Sequence, residues 1–284
     1  MGILGRLLSD GSGLARDVRR PLPTVTPAAP ARDRAAREDR PGPMDASGVA
    51  PAFVFGTAGV LYDDTLNWRW LSQRLMRLGL PYDFQSVYDR WYLMWSPTCA
   101  ATPEGFAGAL RGFLGQLGLT AGQLDEVFAA CHLRLGNGEH GLVALPGVAS
   151  TLAQLSADGL ELAVVHTGPQ PIACVRHQLA HLQLDSYLPH VVARPLAADS
   201  AAACEPFKEV ARSLDRSPDA CVFVSARLPD LVCAAAVGMR TAWIGRAGHD
   251  GTVSADEMPT GDMWLQRFDD LLRIARPVSR ARAA

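Results

Sequence analysis

Three short runs bring polar side chains to the ends of apolar segments. His166-Thr167 follows Leu162–Val165, Ser225-Ala-Arg-Leu-Pro-Asp230 follows Cys221–Val224, and Gly56-Thr57-Ala58 follows Ala52–Phe55. An imidazole beside a hydroxyl can bind an anion, and the imidazole can also act as a general base on what is bound. Arg227 adds a cation, so His166, Thr167 and Arg227 form the candidate binding set. Ser225 and Asp230 are the residual candidates for catalysis, although Asp230 is more simply read as a helix cap paired with Arg227 or another cation. Gly56 has no side chain, and Thr57 carries a hydroxyl that strand alternation directs to the other side. Asp63-Asp64 reads as a helix start rather than as catalytic machinery.

Those runs need elements to hold them. Ala52–Phe55, Leu160–Val165, His190–Ala193, Cys221–Ser225 and Thr241–Ile244 have the texture of buried strands. Helical spacing separates them, through Val148, Leu152 and Leu155, then Ile172, Val175, Leu179 and Leu182, then Phe207, Val210 and Leu214. Strands alternating with helices predict an α/β fold with a parallel sheet covered on both faces. In such sheets the site lies beyond the carboxyl ends of the strands, where the polar runs stand. Residues 66–140 lack strand texture and read as an inserted helical cap, with a plausible helix start at Thr120. Trp68, Trp70, Trp91, Tyr92 and Trp95 crowd that block, as core packing between its helices or as a protein-binding surface.

The motifs resemble those of the haloacid dehalogenase superfamily, in particular its type II 2-haloacid dehalogenase branch. Ala52-Phe-Val-Phe-Gly-Thr-Ala-Gly-Val-Leu-Tyr-Asp63 is similar to the family opening F-D-x-Y-G-T-L, and Leu162-Ala-Val-Val-His-Thr-Gly168 to L-A-x-L-S-N-G. Ala201-Ala-Ala-Cys-Glu-Pro-Phe207 stands where the family has K-P-x-x-x-x-Y. Phe223-Val-Ser-Ala-Arg-Leu-Pro-Asp230, followed by Gly238-Met-Arg-Thr-Ala-Trp-Ile-Gly-Arg246, matches F-V-S-S-N-x-W-D…G-F-R-x-x-W-x-N-R without a gap. The resemblance covers about residues 50–275 and implies a Rossmann-like core, residues 50–65 and 141–275, with the cap inserted at 66–140.

It also implies a reaction whose parts are missing. The family's first-strand aspartate attacks the substrate and forms an ester; here that position is Gly56. The acid/base position of phosphatase relatives is Ala58, the family lysine aligns with Ala201, and the family tyrosine with Phe207. The magnesium-binding aspartates of the phosphatase branch fall on Gly56 and Ala226, so no metal and no cofactor is expected. These losses predict a catalytically silent relative used for binding or scaffolding. The alternative is a hydrolase of changed chemistry, with His166 as base on a small anion such as a 2-haloacid or phosphate ester.

Composition sets the remaining bounds. The chain has 284 residues, 48% hydrophobic and 20% charged, with a net charge of −2 that gives no reason to expect nucleic acid. No pair of the six cysteines has C-x-x-C spacing, which suits a reducing, cytoplasmic setting. No apolar run is long enough to span a membrane. Residues 1–44 carry eight arginines against five acids, about +3, leaving about −5 for the rest. That arm reads as a disordered tail or a docking segment, with Met44 as an alternative start, and residues 276–284 as a basic tail. Candidate partners are a protein bound through the arm, or a protein or second copy of the chain bound through the cap.

Overall fold

Apolar residues on both faces of a strand require cover on both faces. Ala52–Phe55 (β1) is such a strand, with all four residues buried. Phe53 and Phe55 face one hydrophobic cluster, and Ala52 and Val54 face another. The computed structural model describes residues 50–91, 105–136, 141–194, 204–245 and 263–275. The arm 1–44, the tail 276–284, Tyr92, Trp95, Cys99 and Ala201 lie outside these described residues.

Six strands form one parallel sheet. Besides β1 they are Leu162–His166 (β4), His190–Ala193 (β5), Cys221–Ser225 (β6), Arg240–Ile244 (β7) and Met263–Leu265 (β8). Their order is β5-β4-β1-β6-β7-β8. Every pairing is parallel. The chain therefore builds outward from β1 in both directions, and the strand order reverses at its carboxyl end. That reversal leaves a crevice between β1, β4 and β6. A second, antiparallel pair joins Tyr62–Asp63 (β2) to Val143–Ala144 (β3) at the two ends of the inserted block.

One face of the sheet is covered by helices Val148–Ala157 (α5), Ile172–His181 (α6) and Leu271–Ala275 (α9). Glu205–Ser213 (α7) and Leu228–Ala236 (α8) cover the other. The inserted block contains Thr65–Arg77 (α1), Phe84–Asp89 (α2), Gly105–Gly115 (α3) and Ala121–Gly136 (α4). It has its own core, in which Trp68, Trp91 and Phe113 meet with ring centroids 5.1–6.4 Å apart. Trp68 and Trp91 are thus packing residues, while Trp70 is partly buried beneath the guanidinium groups of Arg74 and Arg134. Thr120 starts α4 by a reciprocal exchange: its amide donates to Gln123 Oε1 at 3.0 Å and its hydroxyl accepts from the Gln123 amide at 3.4 Å.

Some sequence expectations shift. The second core strand begins at Leu162 rather than Leu160 and includes His166, which pairs with Ala193. Ile172 does not join the core stripe of α6; at the helix start it is half exposed. The short strands β2, β3 and β8 had no visible periodicity, being two or three residues long.

Phe207 is fully buried on α7, and its ring meets Phe223 edge-to-face at 4.9 Å. A hydroxyl added there enters an apolar cluster. Phe207→Tyr is expected to lower stability by about 1–3 kcal/mol, and Phe207→Ala by about 3–5 kcal/mol. Urea unfolding checks both, and a tyrosine variant as stable as wild type contradicts this placement.

Candidate functional site

The crevice at the strand ends closes over a small cavity of about 50 Å³, enough for a few water molecules or one small group. Core residues Gly56, Thr57, His166, Thr167, Ser225, Arg227 and Asp230 form its floor. The cap contributes Asn67, Trp68, Trp91, Phe106 and Leu135 to its walls. The sequence candidates Gly56, Ala58, His166, Thr167, Ser225, Arg227 and Asp230 therefore come together. Phe207 does not join them, because it belongs to α7's buried stripe and packs in the core against Phe223. Lys208 pairs with Glu205 at 3.6 Å on the exposed side of α7.

Two hydrogen-bond chains organise the floor. In the first, Thr57 Oγ1 lies 2.8 Å from His166 Nδ1, and His166 Nε2 lies 2.6 Å from Gln170 Oε1. An amide oxygen only accepts, so Nε2 carries the proton and Nδ1 accepts from the Thr57 hydroxyl. This corrects one expectation. Thr57 faces the cavity because β1 ends at Phe55, so strand alternation no longer governs it. His166 is held by the side chains of Thr57 and Gln170. Burial is the main cause that lowers the His166 pKa to about 4, with Arg227 adding to the effect, so the ring is neutral. Gly168 makes room for this arrangement: a Cβ there would stand 2.5 Å from His166 Nε2.

In the second chain, the Thr167 hydroxyl donates to Asp230 Oδ1 at 3.0 Å and accepts from Arg227 Nη1 at 3.0 Å. Arg227 Nη1 stands 3.8 Å from Asp230 Oδ2. Asp230 sits in the first turn of α8 and pairs with Arg227, but it does not cap the helix as the sequence suggested: Arg227 holds the N-cap position and Asp230 accepts from Thr167 instead. Burial raises its pKa, opposed by Arg227 and the Thr167 hydrogen bond. Ser225 Oγ accepts the Arg227 amide at 3.0 Å.

Sequence reasoning missed Gln170, which orients the imidazole, and Tyr62, whose hydroxyl donates to Gln178 at 3.1 Å above the floor. Neither stands in a periodic pattern that marks it. Burial, reinforced by Asp64, raises the Tyr62 pKa and keeps the phenol neutral. Asp63 accepts the Thr65 amide at 2.8 Å and so starts α1, while Asp64 accepts from Trp68 Nε1 at 2.9 Å.

A magnesium ion of the kind the phosphatase branch uses does not fit this donor set. Gly56 and Ala226 supply no carboxylate, and Asp230 is engaged by Thr167 and Arg227. Among the described residues no group of three or more metal-ligating side chains is assembled.

The His166 shift has a stability consequence. Its folded pKa of about 4 lies below the model-peptide value of 6.5, so the unfolded chain takes up a proton first as pH falls. Wild type should therefore lose stability relative to His166→Gln between about pH 6.5 and 4, by up to roughly 3 kcal/mol. Asp230 titrates in both proteins and largely cancels in the difference. Urea midpoints across this range check it, and a pH-independent difference contradicts a buried neutral imidazole.

Comparison with known proteins agrees with this architecture. The sequence model of the haloacid dehalogenase-like hydrolase family matches residues 117–244. No curated protein matches the chain. A predicted phosphoglycolate phosphatase from Haemophilus somnus 129PT superposes with a TM-score of 0.59 at 17% identity, over 80% of this chain and 98% of its own. A HAD family hydrolase from Deinococcus radiodurans R1, solved with phosphate and sodium, gives 0.58 at 18% identity over 78% and 94%. A dehalogenase solved as an intermediate complex gives 0.51 at 20% identity over 80% and 98%. Among the described residues no helix is long and apolar enough to cross a membrane. The parallel sheet with its inserted helical cap, together with the sequence match, identifies this chain as one with the haloacid dehalogenase-like hydrolase fold.

Proposed function

We propose that this protein has given up the aspartyl-transfer reaction of its fold relatives and uses the enclosed crevice to bind a small ligand. The observation that carries this reading is the floor around Gly56. No side-chain oxygen is available at that position to accept a transferred group. Ser225 Oγ stands 3.3 Å from where a Cβ would begin. Thr167 and Arg227 Nη1 serve Asp230, and His166 is neutral. Among the described lining residues two acids, Asp64 and Asp230, stand against the one guanidinium of Arg227, so these residues bring no excess positive charge. That balance favours an uncharged ligand over a phosphate or a haloacid. The cap, with its own aromatic core, would present the outer surface to a protein partner or a second copy of the chain.

A second reading is a hydrolase of changed chemistry. The Thr57–His166 hydrogen bond favours it, since a hydroxyl held against a neutral imidazole is a nucleophile beside a base.

Wild type is expected to show no turnover of 2-chloropropionate or p-nitrophenyl phosphate above the uncatalysed rate, since loss of a covalent nucleophile alone costs about 10⁶ in rate. Gly56→Asp is expected to fold, because the backbone is unstrained and the nearest atom is a rotatable hydroxyl. Only that variant could form an aspartyl ester with 2-chloropropionate, releasing chloride, or an aspartyl phosphate with p-nitrophenyl phosphate, releasing p-nitrophenolate. Wild-type turnover at enzymic rates overturns the proposal, as does an adduct on the wild-type chain formed from either anion.

A further inference from the structure

We infer that Thr57 is a nucleophile for small uncharged acyl esters, with His166 as its general base. This rests on the changed-chemistry reading and goes beyond it in naming the attacking atom and the substrate class. Three observations support it. The first is geometry: Thr57 Oγ1 donates to His166 Nδ1 at 2.8 Å, and Gln170 fixes the tautomer from the other ring nitrogen at 2.6 Å. This is the arrangement of nucleophile, base and orienting group that hydroxyl catalysis needs.

The second observation concerns the substrate. The cavity of about 50 Å³ is walled by Trp68, Trp91 and Phe106 and floored by mutually paired charges. It suits an acyl group of a few atoms without formal charge. The third is a place for developing charge. The amides of Thr57 and Ala58 donate to no carbonyl among the described residues, which leaves them available to an oxyanion.

The reaction balances without a co-reactant other than water. Thr57 Oγ1 bonds to the ester's acyl carbon as its proton passes to His166 Nδ1. The acyl carbon–alkoxy oxygen bond then breaks, and that proton leaves with the alcohol. Water attacks the acyl-threonine, giving its proton to His166. The Thr57 oxygen departs and regains that proton, releasing the carboxylic acid.

The test uses p-nitrophenyl acetate with the full chain, following p-nitrophenolate release and mapping any acetyl group by peptide mass spectrometry. Wild type is expected to show a burst and an acetyl group on Thr57. Thr57→Ser should retain both, Thr57→Val should lose both, and His166→Gln should slow the burst by about 100-fold or more. Melting temperatures identify variants that fail to fold; the site of the adduct on wild type decides in any case. Turnover that persists in Thr57→Val, with no acetyl group on Thr57, overturns this inference and leaves the changed-chemistry reading standing. Neither turnover nor an adduct on Thr57 overturns both and leaves ligand binding alone. Acetylation confined to lysines counts as no adduct.

Discussion

Polar groups withdrawn from water must find partners, and most side chains of the pocket floor find theirs in one another. Thr57, His166 and Gln170 satisfy one another in one chain, and Thr167, Asp230 and Arg227 in another. A nucleophilic carboxylate at position 56 would have entered this region charged and in need of a cation. With glycine there, the crevice needs no such compensation, and Arg227 is left to balance Asp230. The neutrality of His166 follows from the same constraint, because a cationic ring would add an unpaired charge beside Arg227.

The scaffold that carries this floor is one parallel sheet with helices on both faces. Reversal of strand order at β1 brings three strand ends to one crevice, and two hydrophobic clusters hold the sheet from its two faces. The cap covers the crevice with aromatic residues from its own core, so the same Trp68 and Trp91 rings stabilise the cap and line the cavity. The sheet and helices thus share the fold of the similar structures, and the strand-end side chains of this chain form a hydrogen-bonded set.

Much of this was legible in the residues. Long apolar strands such as Cys221–Ser225 and helix stripes such as Val148, Leu152 and Leu155 announce themselves because burial imposes their period. The strand-end location of the site followed from that alternation. The orientation of Thr57 did not, since it depends on where β1 stops pairing, and a one-residue difference in strand length reverses a side chain. Gln170 was equally hidden: it stands four residues beyond His166 in the turn after β4, in no periodic pattern that marks it. Phe207 shows the converse, for its alignment with a family site residue suggested the pocket while its helical period placed it in the core.

The claim on which the functional account turns is a floor without surplus positive charge, and the protonation state of His166 reports it most directly. Nitrogen-15 NMR of the imidazole at pH 7 and at pH 5 should show a neutral ring at both, protonated at Nε2 and bare at Nδ1. A doubly protonated, cationic His166 at neutral pH would contradict the account, because it would give the crevice an anion site and leave Nδ1 unable to accept from Thr57.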